Sequence, residues 1–166
     1  MDKLLPHSTP AYLKIDHVAI AVRDLDSAVV YFTEALGFSL TRRLHIKGRT
    51  TGMLSAELEH QGIKLVLCQG TEPASQVSQL IANFGPGVAH IALAVNHLDV
   101  TAAELERRGV PMQTSVIRGP GLRQIFTQRD ANSGLSFELI ERTSQEGFLE
   151  DNVQNLFEQL ERSNAY

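Results

Sequence analysis

Two apolar stretches of the chain are near copies of one another. Residues 15–26 read IDHVAIAVRDLD and residues 88–99 read VAHIALAVNHLD. At an offset of 73 residues, six of the twelve positions are identical: His17/His90, Ala19/Ala92, Ala21/Ala94, Val22/Val95, Leu25/Leu98 and Asp26/Asp99. Three more are aliphatic exchanges. The β-branched, apolar character of each stretch predicts a buried strand. Each is followed by a helical pattern that runs to a glycine, DSAVVYFTEALG to Gly37 and DVTAAELERRG to Gly109. Asp26 and Asp99 are the expected N-caps and the glycines the expected stops. In the first helix Ala28, Val29, Phe32, Ala35 and Leu36 form the inward stripe.

Three shorter strands follow each helix, at about 39–47, 51–59 and 63–69, then at about 111–117, 121–128 and 135–142. Turns fall at Gly119-Pro120-Gly121 and Asn132-Ser133-Gly134. Each copy is therefore a βαβββ unit. Module one covers about 14–69, a linker 70–87 and module two about 88–142. The linker carries a short helix around Ser75–Phe84 and a turn at Gly85-Pro86-Gly87. The tail predicts one more helix, about 150–162, with Asp151 as its cap and Val153, Leu156, Phe157 and Leu160 on its apolar face. The expected fold class is α+β, two tandem βαβββ modules in a single domain plus a C-terminal helix.

Composition narrows the function. The chain has 166 residues, a formal net charge of −4 and acids and bases mixed throughout, which disfavours nucleic acid as a partner. No apolar run approaches a membrane span and the N-terminus lacks a secretory pattern, so a soluble, cytoplasmic protein is expected. The single cysteine, Cys68, excludes an internal disulfide and a cysteine-only zinc site.

The repeat also carries the candidate chemistry. A lone histidine on an apolar strand is ordinarily a core residue, but His17 and His90 occupy equivalent positions in two modules that would face one another. Strand alternation puts Ala19 and Ala21 beside His17, and Ala92 and Ala94 beside His90, leaving room for a ligand. Two facing imidazoles suit a divalent metal with a third, anionic ligand. Aligning Gly62 with Gly134 lays IKLVLCQ over LSFELIE and places Val66 over Glu138. Glu138 is a carboxylate in an otherwise apolar strand, which is uncommon without a partner or a metal. Its counterpart Val66 cannot ligate, so the count is two histidines and one carboxylate, with Glu57 or Glu59 left open as a fourth ligand.

The paired modules, the IDHVAIAVRDLD strand and helix and the HIAL strand resemble the vicinal oxygen chelate superfamily, which includes glyoxalases, epimerases, dioxygenases and bleomycin-resistance proteins. IKGRTTGMLSAEL, SQVSQLIANFGPGVAHIAL, LRQIFTQ, FELIER and GFLEDNVQNLFEQLER more narrowly resemble the catalytic half of the 4-hydroxyphenylpyruvate dioxygenase and hydroxymandelate synthase family. That resemblance implies His17, His90 and Glu138 as Fe(II) ligands, with Zn, Co, Ni or Mn as alternative metals. It implies Ser55, Gln69, Gln76, Gln124 and Phe126 around the substrate, Phe148 and Asn152 in a C-terminal lid, and a homodimer. Ala89 stands where those dioxygenases usually carry glutamine, and Val153 where their gating helix usually carries phenylalanine. These departures point to a substrate other than 4-hydroxyphenylpyruvate. The leading expectation is a non-haem Fe(II) dioxygenase acting on a small 2-oxo acid with oxygen as co-substrate. A metal-dependent glyoxalase- or epimerase-type enzyme, or a ligand-sequestering protein, is the alternative.

Overall fold

The computed structural model describes residues 9–119, 121–143, 154, 157–159, 161 and 162. Its first strand, β1 (Lys14–Ala21), is followed by α1 (Leu25–Val30), β2 (Ser39–Lys47), β3 (Gly52–His60) and β4 (Ile63–Gly70). After α2 (Gln76–Phe84) the pattern repeats as β5 (Gly87–Ala94), α3 (Leu98–Arg107), β6 (Ile117–Gly119), β7 (Leu122–Phe126) and β8 (Phe137–Arg142). The eight strands form one curled sheet in the order β2-β3-β4-β1-β5-β8-β7-β6. The repeat is a pseudo-twofold about the central antiparallel β1–β5 pair. Val18 and Ala19 lie parallel to Leu65 and Val66, and Ile91 and Ala92 lie parallel to Phe137 and Glu138 in the same register.

One face of the sheet is covered by helices. Leu25 and Val29 of α1 pack with Ala56, Leu58 and Leu67, while Leu98, Ala102 and Leu105 of α3 pack with Ile125 and Leu139. The other, inner face carries Ala19, Ala21, Ile46, Met53 and Cys68 in one half, covered by Val77 and Leu80 of α2 and by Phe157. Ala92, Ala94, Leu122 and Ile140 occupy the equivalent face of the second half. The same device seats both repeat helices. A side chain at the end of the adjacent strand accepts the first helical amide: Gln69 from Leu25 N at 2.7 Å and Glu141 from Leu98 N at 2.7 Å.

Four sequence expectations need correction. The cap of α1 is Asp24, whose carboxylate accepts from Ser27 N at 2.7 Å. Asp26 and Asp99 sit within the first turn of their helices, paired with Arg43 and Arg123, where their charge still favours the helix N-terminus. The first helix widens to a π-turn over Tyr31–Ala35, with Leu36 N bonded to Tyr31 O. That extra residue per turn rotates Ala35 and Leu36 off the inward stripe and leaves Leu36 47% exposed. The strand expected at 111–117 is reduced to a bridge between Met112 and Thr127, with regular pairing only at β6. Pro111 has no amide to donate, and the Thr114 hydroxyl takes the Phe126 amide that a backbone carbonyl would otherwise accept.

Gln154, Phe157–Gln159, Glu161 and Arg162 are helical, as the tail pattern predicts; Asp151, Val153, Leu156 and Leu160 lie outside the described residues. Phe157 is fully buried in the inner-face cluster. The helix sits down on the β2–β3 turn because residue 48 is glycine; a Cβ there would lie 2.9 Å from the Phe157 ring. The Glu161 carboxylate fastens it, accepting from the backbone amides of Arg49, Thr50 and Thr51 and from both threonine hydroxyls at 2.6–3.1 Å. Burial tends to raise the Glu161 pKa, but the bonds from Thr50 and Thr51 outweigh it and hold the group at about 2. This contribution is present above the ordinary carboxylate range and lost as pH falls toward 2. Glu161→Ala is expected to cost about 1–2 kcal/mol, the partial exposure of the carboxylate moderating a charged acceptor's usual value. Hydrogen exchange at Thr50 and Thr51 should accelerate; unchanged protection would contradict this role.

Candidate metal centre

The centre is built where the two repeats meet. His17 on β1 pairs with Ala92, and Ala19 pairs with His90 on β5. The two imidazoles thus come from adjacent antiparallel strands, on the same face, their ring centroids 5.7 Å apart and nearly perpendicular. Glu138 joins from β8, directly beside Ala92, whose small side chain leaves the space. Glu138 Oε2 lies 3.3 Å from His17 Nε2 and 3.2 Å from His90 Nε2. All three residues are buried, and their ligand atoms fall within 4.8 Å of one another.

Electrostatics favour a cation here. Burial tends to raise the pKa of Glu138, but the two histidines outweigh it and hold it at about 2. Burial tends to lower His17; Glu138 and the Asp16 hydrogen bond overcome this and push it up to about 9. Burial prevails at His90 and lowers it. A buried carboxylate of this kind requires a positive neighbour, which a proton on His17 or a divalent ion can supply. Glu138 Oε1 is buried and accepts no hydrogen bond in this structure. A buried carboxylate with one oxygen against two imidazoles and the other without a partner fits a metal ion, and two neutral nitrogens with one carboxylate are a donor set for Fe(II) or another first-row divalent ion.

The fourth symmetry-related position is Val66, in register with Ala19 as Glu138 is with Ala92. Neither Glu57 nor Glu59 joins the cluster among the described residues. Glu57 is committed to Arg42 at 2.6 Å. Phe126 is cross-strand from Glu138, and its ring meets His90 edge-on at 5.1 Å between centroids. Gln124, two residues along the same face, is fully buried with no hydrogen-bond partner for Oε1. Ser55 is buried on β3 beside Cys68, on the inner face of the first half. Gln76 is buried in the first turn of α2, next to the Val77 that covers this face. Gln69 faces the other way, capping α1 across the sheet, because it is three residues from Val66 and strand alternation separates them. Phe148 and Asn152 lie outside the described residues. A cavity of about 590 Å³ opens elsewhere, on the helical side between α3 and β8, with Leu93, Leu105 and Phe137 in its wall and none of the three ligands.

Two residues at the centre were not singled out from the sequence. Asp16 Oδ1 lies 2.9 Å from His17 Nδ1, and Arg142 grips both Asp16 oxygens at 2.9 Å. Their signals were a charged residue inside an apolar strand, and an arginine four positions after Glu138 and so on its face.

Comparison with known proteins agrees with this architecture. Residues 14–139 match the family model described as the Glyoxalase/Bleomycin resistance protein/Dioxygenase superfamily. A 4-hydroxyphenylpyruvate dioxygenase of Legionella pneumophila is 27% identical over 186 aligned positions, covering 89% of this chain and 53% of that protein. Its counterpart in Pseudomonas aeruginosa is 26% identical, with 89% and 51% covered. The chain thus spans about half the length of these curated relatives. Among solved structures, a variant 4-hydroxymandelate synthase from Streptomyces coelicolor superposes with a TM-score of 0.79 at 24% identity, covering 95% of this chain and 57% of that one. Methylmalonyl-CoA epimerase from Mycobacterium tuberculosis gives 0.69 at 26% identity, covering 83% and 93%. With the repeated modules, the central strand pair and the matched family model together, the chain belongs to the Glyoxalase/Bleomycin resistance protein/Dioxygenase superfamily.

Proposed function

We propose that this protein is an Fe(II)-dependent dioxygenase acting on a small 2-oxo acid. The observation that carries this reading is the asymmetry of the centre: His17, His90 and Glu138 converge, while the position that would complete a four-residue set is Val66. Bound iron would supply open coordination positions and the redox chemistry needed to use oxygen on a chelating substrate. The chain's own residues do the rest. Glu138 offsets cationic charge, and the imidazoles present neutral nitrogens. Phe126 and the buried alanines shape an apolar wall, Gln124 offers a buried acceptor to a substrate donor, and Ser55 and Gln76 line the first-half side. The helix carrying Phe157 excludes water from that side. The names of the dioxygenase relatives support the same reaction class.

The epimerase neighbour favours a second reading, a metal-dependent isomerase or glyoxalase-type lyase. The two differ in their need for oxygen. Iron-loaded protein screened against a panel of 2-oxo acids is expected to turn over one or more of them in air and none under argon. Equal turnover under argon would overturn the dioxygenase in favour of the isomerase; tight ligand binding by metal-free protein without turnover would favour sequestration. A homodimer and a cytoplasmic location belong to the same reading, the first tested by light scattering. No helix among the described residues is long and apolar enough to cross a membrane.

A further inference from the structure

The two histidines are equivalent in the repeat but differ in what supports them. Each repeat strand carries a β-bulge immediately before its histidine. The β1–β5 register slips between Ile15 and His17, making Asp16 the extra residue, and again opposite Ala19 and Ile20, making Ala89 the extra residue. The bulge positions are counterparts at the same offset as the histidines themselves. One presents a carboxylate and the other a methyl group.

A bulge re-aims a side chain, and here it turns Asp16 toward the His17 ring. Asp16 is 7% exposed, a burial that an unpaired carboxylate would not accept. It is held by Arg142, whose Nε and Nη2 each donate to one carboxylate oxygen at 2.9 Å. The oxygen that accepts from Arg142 Nη2 also lies 2.9 Å from His17 Nδ1. On the far side of the ring, Nε2 faces Glu138 Oε2 at 3.3 Å. The Arg142 counterpart at the end of β4 is Gly70, so the first half lacks a matching clamp.

We propose that Asp16, clamped by Arg142, is a positioning residue of the metal centre: it keeps the proton of His17 on Nδ1 and leaves the Nε2 lone pair for the metal. The inference rests on the reading that the triad binds a divalent ion. A carboxylate only accepts hydrogen bonds, so it dictates that Nδ1 donates. In Asp16→Asn the amide oxygen can keep the place that faces both Arg142 Nη2 and His17 Nδ1, but the amide nitrogen then meets the Arg142 Nε donor. The clamp is broken on one side and the remaining acceptor is neutral, so the Nδ1 proton is held more weakly while shape and burial stay the same. Supports of this kind around a ligating histidine are typically worth about 10–100-fold in metal affinity.

The test uses the full chain and Co(II) alone, titrated under argon and followed by the visible absorption of the bound ion. Asp16→Ala should bind Co(II) about 10–100-fold more weakly than wild type, and Asp16→Asn should fall between the two, more than about threefold below wild type. Circular dichroism without metal should show Asp16→Asn folded. A purely structural role predicts wild-type affinity in Asp16→Asn, because asparagine preserves packing that alanine removes. Binding by Asp16→Asn within about threefold of wild type would overturn the inference while leaving the metal centre standing. If wild type takes up no Co(II), the metal reading itself fails and the inference falls with it. Nitrogen-15 NMR of the Zn(II)-loaded wild type gives a readout independent of any variant. It should show the His17 proton on Nδ1, and a proton on Nε2 would overturn the proposal.

Discussion

Glu138→Ala should abolish metal binding and, with it, all turnover. The carboxylate is the only anionic member of the cluster, and two neutral imidazoles from adjacent strands are a poor site for a divalent ion. The ion would also lose the group that offsets its charge inside a buried site, where the penalty for an unbalanced charge is greatest. Titration calorimetry with Zn(II) should therefore register about one site per chain in wild type and no saturable site in the variant. Thermal unfolding gives a second reading. Metal at about a hundredfold excess over its dissociation constant stabilises wild type by about 2.7 kcal/mol, and Glu138→Ala should show no such increment. Glu138→Gln should behave like the alanine variant while leaving packing intact, so a loss in both assigns the effect to charge. An undiminished metal increment in either variant would contradict the assignment of Glu138 as a ligand.

Val66→Glu should have the opposite effect on metal binding and the same effect on oxygen use. The parallel β1–β4 and β5–β8 pairs are in the same register, so a carboxylate introduced at residue 66 stands to Ala19 as Glu138 stands to Ala92. Val66 is partly buried against the inner-face cluster. Without metal the substitution should lower thermal stability, because it buries a carboxylate. With metal that loss should be offset and affinity should rise, since the added anion is a fourth ligand. A fourth ligand also takes a coordination position that substrate or oxygen needs, so oxygen uptake should fall by roughly a hundredfold or more. Unchanged uptake would mean that residue 66 does not approach the metal, and the symmetry argument for a three-ligand centre would fail.

The parts of the centre that were legible in the sequence are those that the repeat encodes. His17 and His90 matched at one offset and Val66 and Glu138 at another, and strand pairing preserves both offsets as register. Gln124 and Phe126 came from the family resemblance, and the β7–β8 pairing puts them on the Glu138 face. Strand alternation keeps the two together, because they are two residues apart. It could equally have excluded Gln69, an odd step from Val66, which the family resemblance had brought to the substrate. The bulges were not legible, because an extra residue in a strand is defined only against its partner. Asp16 therefore read as one more strand residue, and its bond to His17 could not be inferred. The π-turn after α1 and the bridge at Met112 were hidden for a related reason. Both depend on which backbone group a threonine hydroxyl engages: Thr33 donates to Val29 O, and Thr114 accepts from Phe126 N. Side-chain competition of that kind leaves no periodic trace.

The direct measurement of the proposed chemistry is the ratio of oxygen consumed to carbon dioxide released. Fe(II)-loaded protein with the 2-oxo acid that supports the fastest uptake should consume oxygen and release carbon dioxide in equal amounts. The carbon dioxide should come from the substrate's own carboxylate, traced by a carbon-13 label, and release should cease in Glu138→Ala. Conversion of the labelled acid with no oxygen consumed, or oxygen uptake with no labelled carbon dioxide, would contradict the account.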